Sequence, residues 1–378
     1  MKDALQGVTV IELGTVLTAP LTGMMLADLG ARVIKVEHPE GGDPFRRHDG
    51  RFYSPHFAAY NRNKESIQLD LQSDAGKADL AKLVSRADVL IDNFRAGVLP
   101  RLGFTQERLK ELNPKLIHCS ITGFGADGPY RDRPCYDAVA VAISGLGSQM
   151  IDPEHPSVSG PSLSDNITGM YAAYGILGAL QARTRSGEGS RVEVNMLEAS
   201  IAFSPEGFAQ YTSKGITPSP QSRVAISQSY AFRCADGRLI SMHLSSVDKF
   251  WKAFIKAIDR EDLQEDERFA TAPLRTRNYS VLTEVLGQTM ATRPRAEWCQ
   301  RLASSDVPFA AVNNVPEVME DPQVAHLGVF YEVDHHIQGR QTAIHRPVRI
   351  NGDRGPSDCA APALGEHSDA IRREFGLS

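Results

Sequence analysis

The chain has 378 residues, with 41 Lys+Arg against 46 Asp+Glu and a formal charge of −5. That length suits two domains of about 150 residues each, and the charge gives no electrostatic footprint for nucleic acid. The N-terminus, MKDALQGVTVIEL, lacks the apolar core of a signal peptide, and no apolar run approaches the roughly 20 residues that span a bilayer, so a cytoplasmic protein with neither membrane nor nucleic-acid partners is expected.

The first 120 residues read as strand–helix repeats. GVTVIEL (7–13) is a β-branched strand, APLTGMMLADLG (19–30) a helix that stops at its glycine, and ARVIKVE (31–37) the next strand. ESIQLDL (65–71), DVLIDNF (88–94) and KLIHCSI (115–121) are further strands. DAGKADLAKLVSRA (74–87) and TQERLKELNP (105–114) are helices between them. This alternation predicts an α/β doubly wound sheet. Residues 164–180 and 197–211 read as helices either side of a strand at 190–196, and 212–222, rich in Ser, Pro and Gly, as a linker. A hairpin is expected at 230–244, turning at Asp236-Gly237, followed by helices at about 247–258 and 279–304. The tail, 326–378, reads as irregular, with a Pro-rich run near 355–362 and a last helix at about 367–375. The division expected is a large α/β domain at 1–211, the linker, a smaller α+β domain at 223–325 and a C-terminal segment at 326–378.

Cysteines 119, 135, 234, 299 and 359 are scattered and form no CxxC. Free thiols in a reducing compartment are expected. The histidines adjoin at His335-His336 alone, where strand geometry would point the two rings to opposite faces. No metal site is expected.

Gly123-x-Gly125-x-x-Gly128 has the spacing of a dinucleotide fingerprint. A fingerprint needs a helix after its glycines, because the helix N-terminus holds the pyrophosphate. Pro129 and Pro134 instead favour extended or turning chain, and no acid stands at 143–151 to bind a ribose. An NAD oxidoreductase is thereby disfavoured. The glycines read either as a surface loop or as a loop whose backbone lies against a ligand.

Five blocks in order carry a resemblance: VIELGTVLTAPLTGMMLADLGARVIKVEHPEGGDPFR (10–46), NRNKESIQLDL (61–71), DNFRAGVLPRLGF (92–104), SITGFGADGPYRDRPCYD (120–137) and SDNITGMYAAYGILGALQARTRSGEGSRVEVNMLEA (164–199). With the ending APALGEHSDAIRREFG (361–376), the chain resembles the class III CoA-transferases, the CaiB/BaiF family, which includes formyl-CoA:oxalate and carnitine CoA-transferases. The resemblance implies a Rossmann-like large domain plus a small domain, a C-terminal segment returning to the large domain, and an interlocked homodimer. The small residues Gly169, Ala172, Ala173, Gly175, Gly178 and Ala179 fit such an interlock, and fit ordinary close packing in one chain equally well.

From the residues alone, Asp165 in DNITG reads as an N-cap. The resemblance implies that it is the nucleophile, attacking a donor acyl-CoA and passing through a mixed anhydride to an aspartyl-CoA thioester. Asp137 resembles the acidic residue near the acyl group. Coenzyme A and acyl-CoA then enter as substrates, with no prosthetic group. The positions matched to CoA are Val16, Leu17, Thr18, His38, Leu69, Gln72, Asn93, Phe94, Arg95, Arg101 and Tyr136. Arg101 is a candidate for phosphate contact. Cys135 reads as a small buried thiol. The α-methylacyl-CoA racemases of this fold pair the Asp with a His in G-H-D. Here the motif reads Cys135-Tyr136-Asp137, and an unperturbed Tyr is a poor base near neutrality, which favours transfer over racemisation. A non-catalytic acyl-CoA binding protein is the reading outside enzymes. The segment 225–237 has no run of glycines to form the lid found in some members, so oxalate is not the expected acceptor.

Overall fold

The computed structural model describes residues 4–378 except 49, 51–52, 246, 336 and 355–358. His336 and the first half of the Pro-rich run at 355–362 therefore lie outside the described residues. The chain forms two compact units. One comprises the chain up to Gly147, Val158–Pro205 and Gly328–Ser378, and the other Ser148–Ser157 and Glu206–Leu327.

The first unit holds a sheet of β1 (Thr9–Glu12), β2 (Arg32–Glu37), β3 (Lys64–Gln68), β4 (Val89–Asp92), β5 (Ile117–Thr122) and β6 (Ser190–Asn195), in the order β3-β2-β1-β4-β5-β6. All five pairings are parallel. Its helices are α1 (Thr18–Ala27), α2 (Pro55–Asn61), α3 (Asp74–Ser85), α4 (Val98–Arg101), α5 (Gln106–Leu112), α6 (Asp137–Ile143), α7 (Leu163–Ser186) and α8 (Met196–Phe203). Side chains alternate across a strand, so β1, β2 and β4 each feed two cores. Ile11, Ile34, Ile67 and Leu90 pack with Leu80 and Val84 of α3 and Leu109 of α5. Val10, Val33, Val89 and Ile91 pack with Ala19 and Leu26 of α1 and Ala172 and Ile176 of α7. Both faces are covered, which is why these strands read as nearly continuous apolar runs.

The small residues of α7 are used within the chain. A Cβ on Gly169 would stand 2.9 Å from the Thr18 carbonyl oxygen, and one on Gly175 2.8 Å from Val192, while Gly178 faces open space. Thr22 Oγ1 donates to Gly169 O at 3.1 Å across the α1–α7 contact.

The second unit contains most of α9 (Pro205–Lys214), then α10 (Ser222–Ser227), β7 (Ser229–Arg233), β8 (Leu239–His243), α11 (Val247–Ala257), α12 (Ala272–Arg277), α13 (Tyr279–Met290), α14 (Arg295–Ala303), β9 (Phe309–Ala311), α15 (Val315–Met319) and α16 (Pro322–Leu327). β7, β8 and β9 form an antiparallel sheet over a core that includes Trp251, Phe254, Phe269 and Trp298. The expected hairpin turns where Gly237 takes φ 76°.

Four expectations are corrected. The helix expected at 197–211 is two helices, because Pro205 has no N–H for the ladder of α8. The helix expected at 279–304 divides for the same reason before α14, whose N-cap is Pro294. The tail is not irregular: β10 (Phe330–His335) and β11 (Gly339–Ile344) form a hairpin. A final helix, α17 (Ser368–Phe375), places Ile371 and Phe375 in the core beneath β1–β3. The stretch 212–222 is in part helical, since α9 runs to Lys214 and stops at Gly215, φ 68°. Among the described residues, no helix is long and apolar enough to cross a membrane.

Candidate active site

In a parallel sheet of this order the chain leaves β1 toward one side and β4 toward the other. The crevice outside their carboxyl ends is where such sheets bind ligands. A cleft of about 210 Å³ lies there, lined by Thr15–Thr18 after β1, Asn93–Ala96 after β4, Ile121–Gly123 on β5 and beyond it, Arg131, Arg133, Cys135, Tyr136, Asp165 and Met196.

The loop after β1 has unusual backbone. Val16 sits at φ 68°, a left-handed conformation that a β-branched residue rarely adopts. The loop is held from two sides. Asn93 Oδ1 accepts the Thr15 N–H at 3.0 Å, and Asn93 Nδ2 donates to Thr15 O at 2.8 Å and Thr18 Oγ1 at 3.0 Å. Asp43 Oδ1 accepts the Val16 N–H at 3.1 Å. Gly14 admits this arrangement, since a Cβ there would meet Ala19 Cβ at 2.1 Å.

Across the cleft, Asp165 is not an N-cap. Ser162 holds that position and its side chain makes no cap bond. Asp165 lies in the first turn of α7, and its own N–H is accepted by Asp137 Oδ1 at 3.1 Å, so Asp137 supplies the cap from α6. The helix N-terminus favours a carboxylate, but two effects oppose ionisation more strongly. Burial comes first and the Asp137 charge second, and together they push the Asp165 carboxyl up to about 6. Among the described residues no cation pairs with it.

Cys135 is half-buried on the wall of the cleft rather than fully enclosed. Burial, followed by the negative charge of Asp165, pushes its thiol up to about 11, which leaves it protonated and a weak nucleophile. The glycines of the former NAD question find their use here. Gly125 and Gly128 have φ of 102° and 82°. Gly123 is needed for closeness instead, because its Cβ would lie 2.3 Å from Cys135 Cβ. No helix follows them before α6.

The structure thus brings together Val16, Leu17, Thr18, Asn93, Phe94, Arg95, Tyr136 and Asp165. Tyr136 is 70 % exposed. Asn93 is committed to holding the loop. His38, Leu69, Gln72 and Arg101 stand outside the cleft walls. His38, just past β2, accepts the Glu40 N–H at 3.0 Å. Leu69 is buried, and Gln72 is an exposed residue whose N–H donates to Asp70 Oδ1 at 2.9 Å.

Sequence reasoning missed Arg131 and Arg133. Arg133 stacks over the Tyr130 ring at 4.4 Å. Arg131 Nη2 and Arg101 Nη1 both come within 3.2 Å of where a Cβ on Gly97 would stand. Their signal was the doublet Arg131-Asp132-Arg133 directly after a glycine–proline turn.

Comparison with known proteins places the chain in a family. Residues 5–368 match the family model CoA-transferase family III. Acetyl-CoA:oxalate CoA-transferase of Acetobacter aceti is 33 % identical over 389 residues, covering 99 % of this chain and 96 % of that protein. Human succinyl-CoA:glutarate CoA-transferase is 31 % identical over 379 residues, covering 98 % and 85 %. The crystal structure of a CAIB/BAIF family protein from Brucella suis superposes with a TM-score of 0.88 at 32 % identity, over 99 % of this chain and 100 % of that one. The chain is a CoA-transferase and belongs to CoA-transferase family III.

Proposed function

We propose that the protein moves CoA from an acyl-CoA donor to a carboxylic-acid acceptor with Asp165 as nucleophile. The observation that carries this is a carboxylate at the switch-point cleft that no cation among the described residues neutralises. The Asp165 carboxylate attacks the thioester carbonyl, giving an aspartyl–acyl mixed anhydride and CoA thiolate. The thiolate attacks the aspartyl carbonyl, giving the Asp165–CoA thioester and the donor carboxylate. The acceptor carboxylate attacks that thioester, and the thiolate released attacks the acyl carbonyl of the second anhydride. Acyl-CoA leaves and the Asp165 carboxylate is restored. Each step exchanges one carboxylate or thiolate for another, so no net proton transfer is required. Covalent catalysis divides the exchange into easier steps. An apolar wall, with Leu17 and Met196 almost fully buried, keeps water from a reactive anhydride.

Arg95, Arg131 and Arg133 on the wall, with Arg101 beside Arg131, are proposed to hold the phosphates of CoA, since guanidinium forks fit phosphate oxygens. The nucleotide would then extend past Val16–Thr18 toward His38 and Gln72 at the ends of β2 and β3. Racemisation is not favoured: among the described residues lining the cleft there is no histidine, and a two-base proton transfer would lack its second base.

A homodimer is part of the proposal. Met170 and Tyr174 of α7 are 56 % and 75 % exposed, and Phe203 of α8 is 52 % exposed. An apolar face of this kind fits a second copy of the chain. Light scattering on the purified protein checks it, with a dimer mass expected.

The names of the two relatives supply a first panel: acetyl-CoA and succinyl-CoA as donors, oxalate and glutarate as acceptors. Turnover of any donor–acceptor pair, lost in Asp165→Ala, is the expected result. Wild-type protein that binds CoA but transfers it to no acid would contradict the proposal.

A further inference from the structure

The loop that lines the cleft rests on a chain of buried charges that the transfer chemistry does not use. Lys35 Nζ on β2 lies 2.9 Å from Glu12 Oε1 on β1 and 2.9 Å from Asp43 Oδ2, and donates to Gly14 O at 2.7 Å. Lys64 Nζ on β3 lies 2.8 Å from Glu12 Oε2 and donates to Pro20 O at 2.8 Å. Arg46 grips Glu37 through two bonds of 2.7 and 2.8 Å, and Glu37 Oε2 accepts the Asp43 N–H at 3.0 Å. Lys35, Lys64 and Arg46 thus balance Glu12, Glu37 and Asp43, and none of the six is more than 4 % exposed.

Buried ion pairs contribute little stability over apolar residues of the same size, so stability is a weak reason for six charges here. The network reaches the cleft loop directly. Asp43 gives one oxygen to Lys35 and shares the other between the Phe45 N–H at 2.9 Å and the Val16 N–H at 3.1 Å. Val16 is the residue with left-handed backbone, and such a conformation persists only where the surroundings over-determine it. Val16 and Leu17 both line the cleft, and Leu17 is the N-cap residue of α1, whose first turn no side chain caps.

We infer that Asp43 is a positioning residue for acyl-CoA: with Lys35 as its counter-charge, it clamps Val16 in the left-handed conformation that shapes the binding loop. The inference rests on the CoA-transfer reading and adds a residue outside the cleft. Asp43→Asn presents an amide N–H₂ toward Lys35, which loosens the clamp without emptying the space. Val16→Pro acts from the other end: proline has no N–H and cannot take a positive φ. It lies in the loop and leaves the buried charges intact. Val16→Gly is the control, because glycine adopts this backbone freely.

The test is calorimetric titration of the full-length protein with free CoA, with kcat and the melting temperature recorded for each variant. Asp43→Asn and Val16→Pro are each expected to weaken CoA binding on the order of tenfold, with more of the loss in KM than in kcat. Val16→Gly should lose less CoA affinity than Val16→Pro. The Asp43→Asn penalty should shrink in the Val16→Gly background, a coupling that a purely structural role for Asp43 would not produce. If Asp43→Asn fails to fold, Val16→Pro decides. CoA binding unchanged in Val16→Pro, or an equal Asp43→Asn penalty in both backgrounds, would overturn the inference and leave CoA transfer standing. Wild-type protein that does not bind CoA would remove both.

Discussion

Two groups of carboxylates lie at the carboxyl ends of the strands, and the protein treats them in opposite ways. Under the β1 loop every carboxylate has a cation within 3 Å. Burial pushes Glu37 up, but Arg46 outweighs it and holds the carboxyl below its usual range. Lys35 and the Phe45 N–H do the same for Asp43 against its burial. On the far wall of the cleft, Asp165 is buried with a second carboxylate beside it and is pushed up to about 6. The charges under the loop are neutralised in pairs, whereas the one proposed as nucleophile is left with a like neighbour, as perturbed sites generally are.

The contrast is broken most completely by removing Asp165. Asp165→Ala is expected to reduce transfer by at least about a thousandfold while CoA still binds, as steady-state rates and CoA titration would show. On the neutralised side, Glu12→Gln leaves Lys35 and Lys64 short of their shared carboxylate. Breaking a buried pair costs about 3–5 kcal/mol, so a large fall in urea midpoint is expected. Burial already drives the Lys64 ammonium down to about 8 despite Glu12, so this variant should also lose the proton on Lys64 at lower pH. A midpoint unchanged in Glu12→Gln would contradict the pairing described for β1–β3.

A smaller effect tests the approach of two loops. Gly123→Ala would drive a Cβ into Cys135 and is expected to lower kcat/KM on the order of tenfold or more, since misplacement by about 1 Å is costly in catalysis. Cys135→Gly in the same chain should recover much of it.

The mildest tests titrate Asp165. kcat/KM is expected to fall below an inflection near pH 6, as the nucleophile takes up its proton. Asp137→Asn removes the neighbouring charge and should move the inflection to lower pH. Folded Asp165 holds its proton more tightly than an ordinary carboxyl of 3.8, so stability falls as pH rises through that window. Asp165→Asn should therefore be more stable at pH 7, by on the order of 1–2 kcal/mol, with the gain fading as pH falls from about 6 to about 4.

The same contrast explains what the sequence disclosed. The strands were legible because VIEL, RVIKVE and DVLID are β-branched runs buried on both faces. The network was not. Glu12 and Lys35 are charges set among β-branched residues, and Lys64 falls just before the strand expected at 65–71. Only the register, which sets Glu12 opposite Lys35, turns lone charges into pairs. Asp165 was legible through its resemblance alone. On local signals it was an N-cap, and the capping is done by Asp137, 28 positions earlier in the chain. Asn93 was matched to CoA through the resemblance and its place after β4; it lines the cleft, and its amide also holds Thr15 and Thr18. Proline breaks at 205 and 294 were visible in the sequence and were outweighed by helical spacing on both sides.

The most direct measurement is intact-protein mass spectrometry of wild type and Asp165→Ala after incubation with acetyl-CoA and, separately, succinyl-CoA. A CoA-sized covalent adduct on the wild type, mapped to Asp165 and missing from the variant, is the expected result. An adduct of the same mass on both proteins, or catalytic turnover that survives in Asp165→Ala, would contradict the assignment of Asp165 as nucleophile.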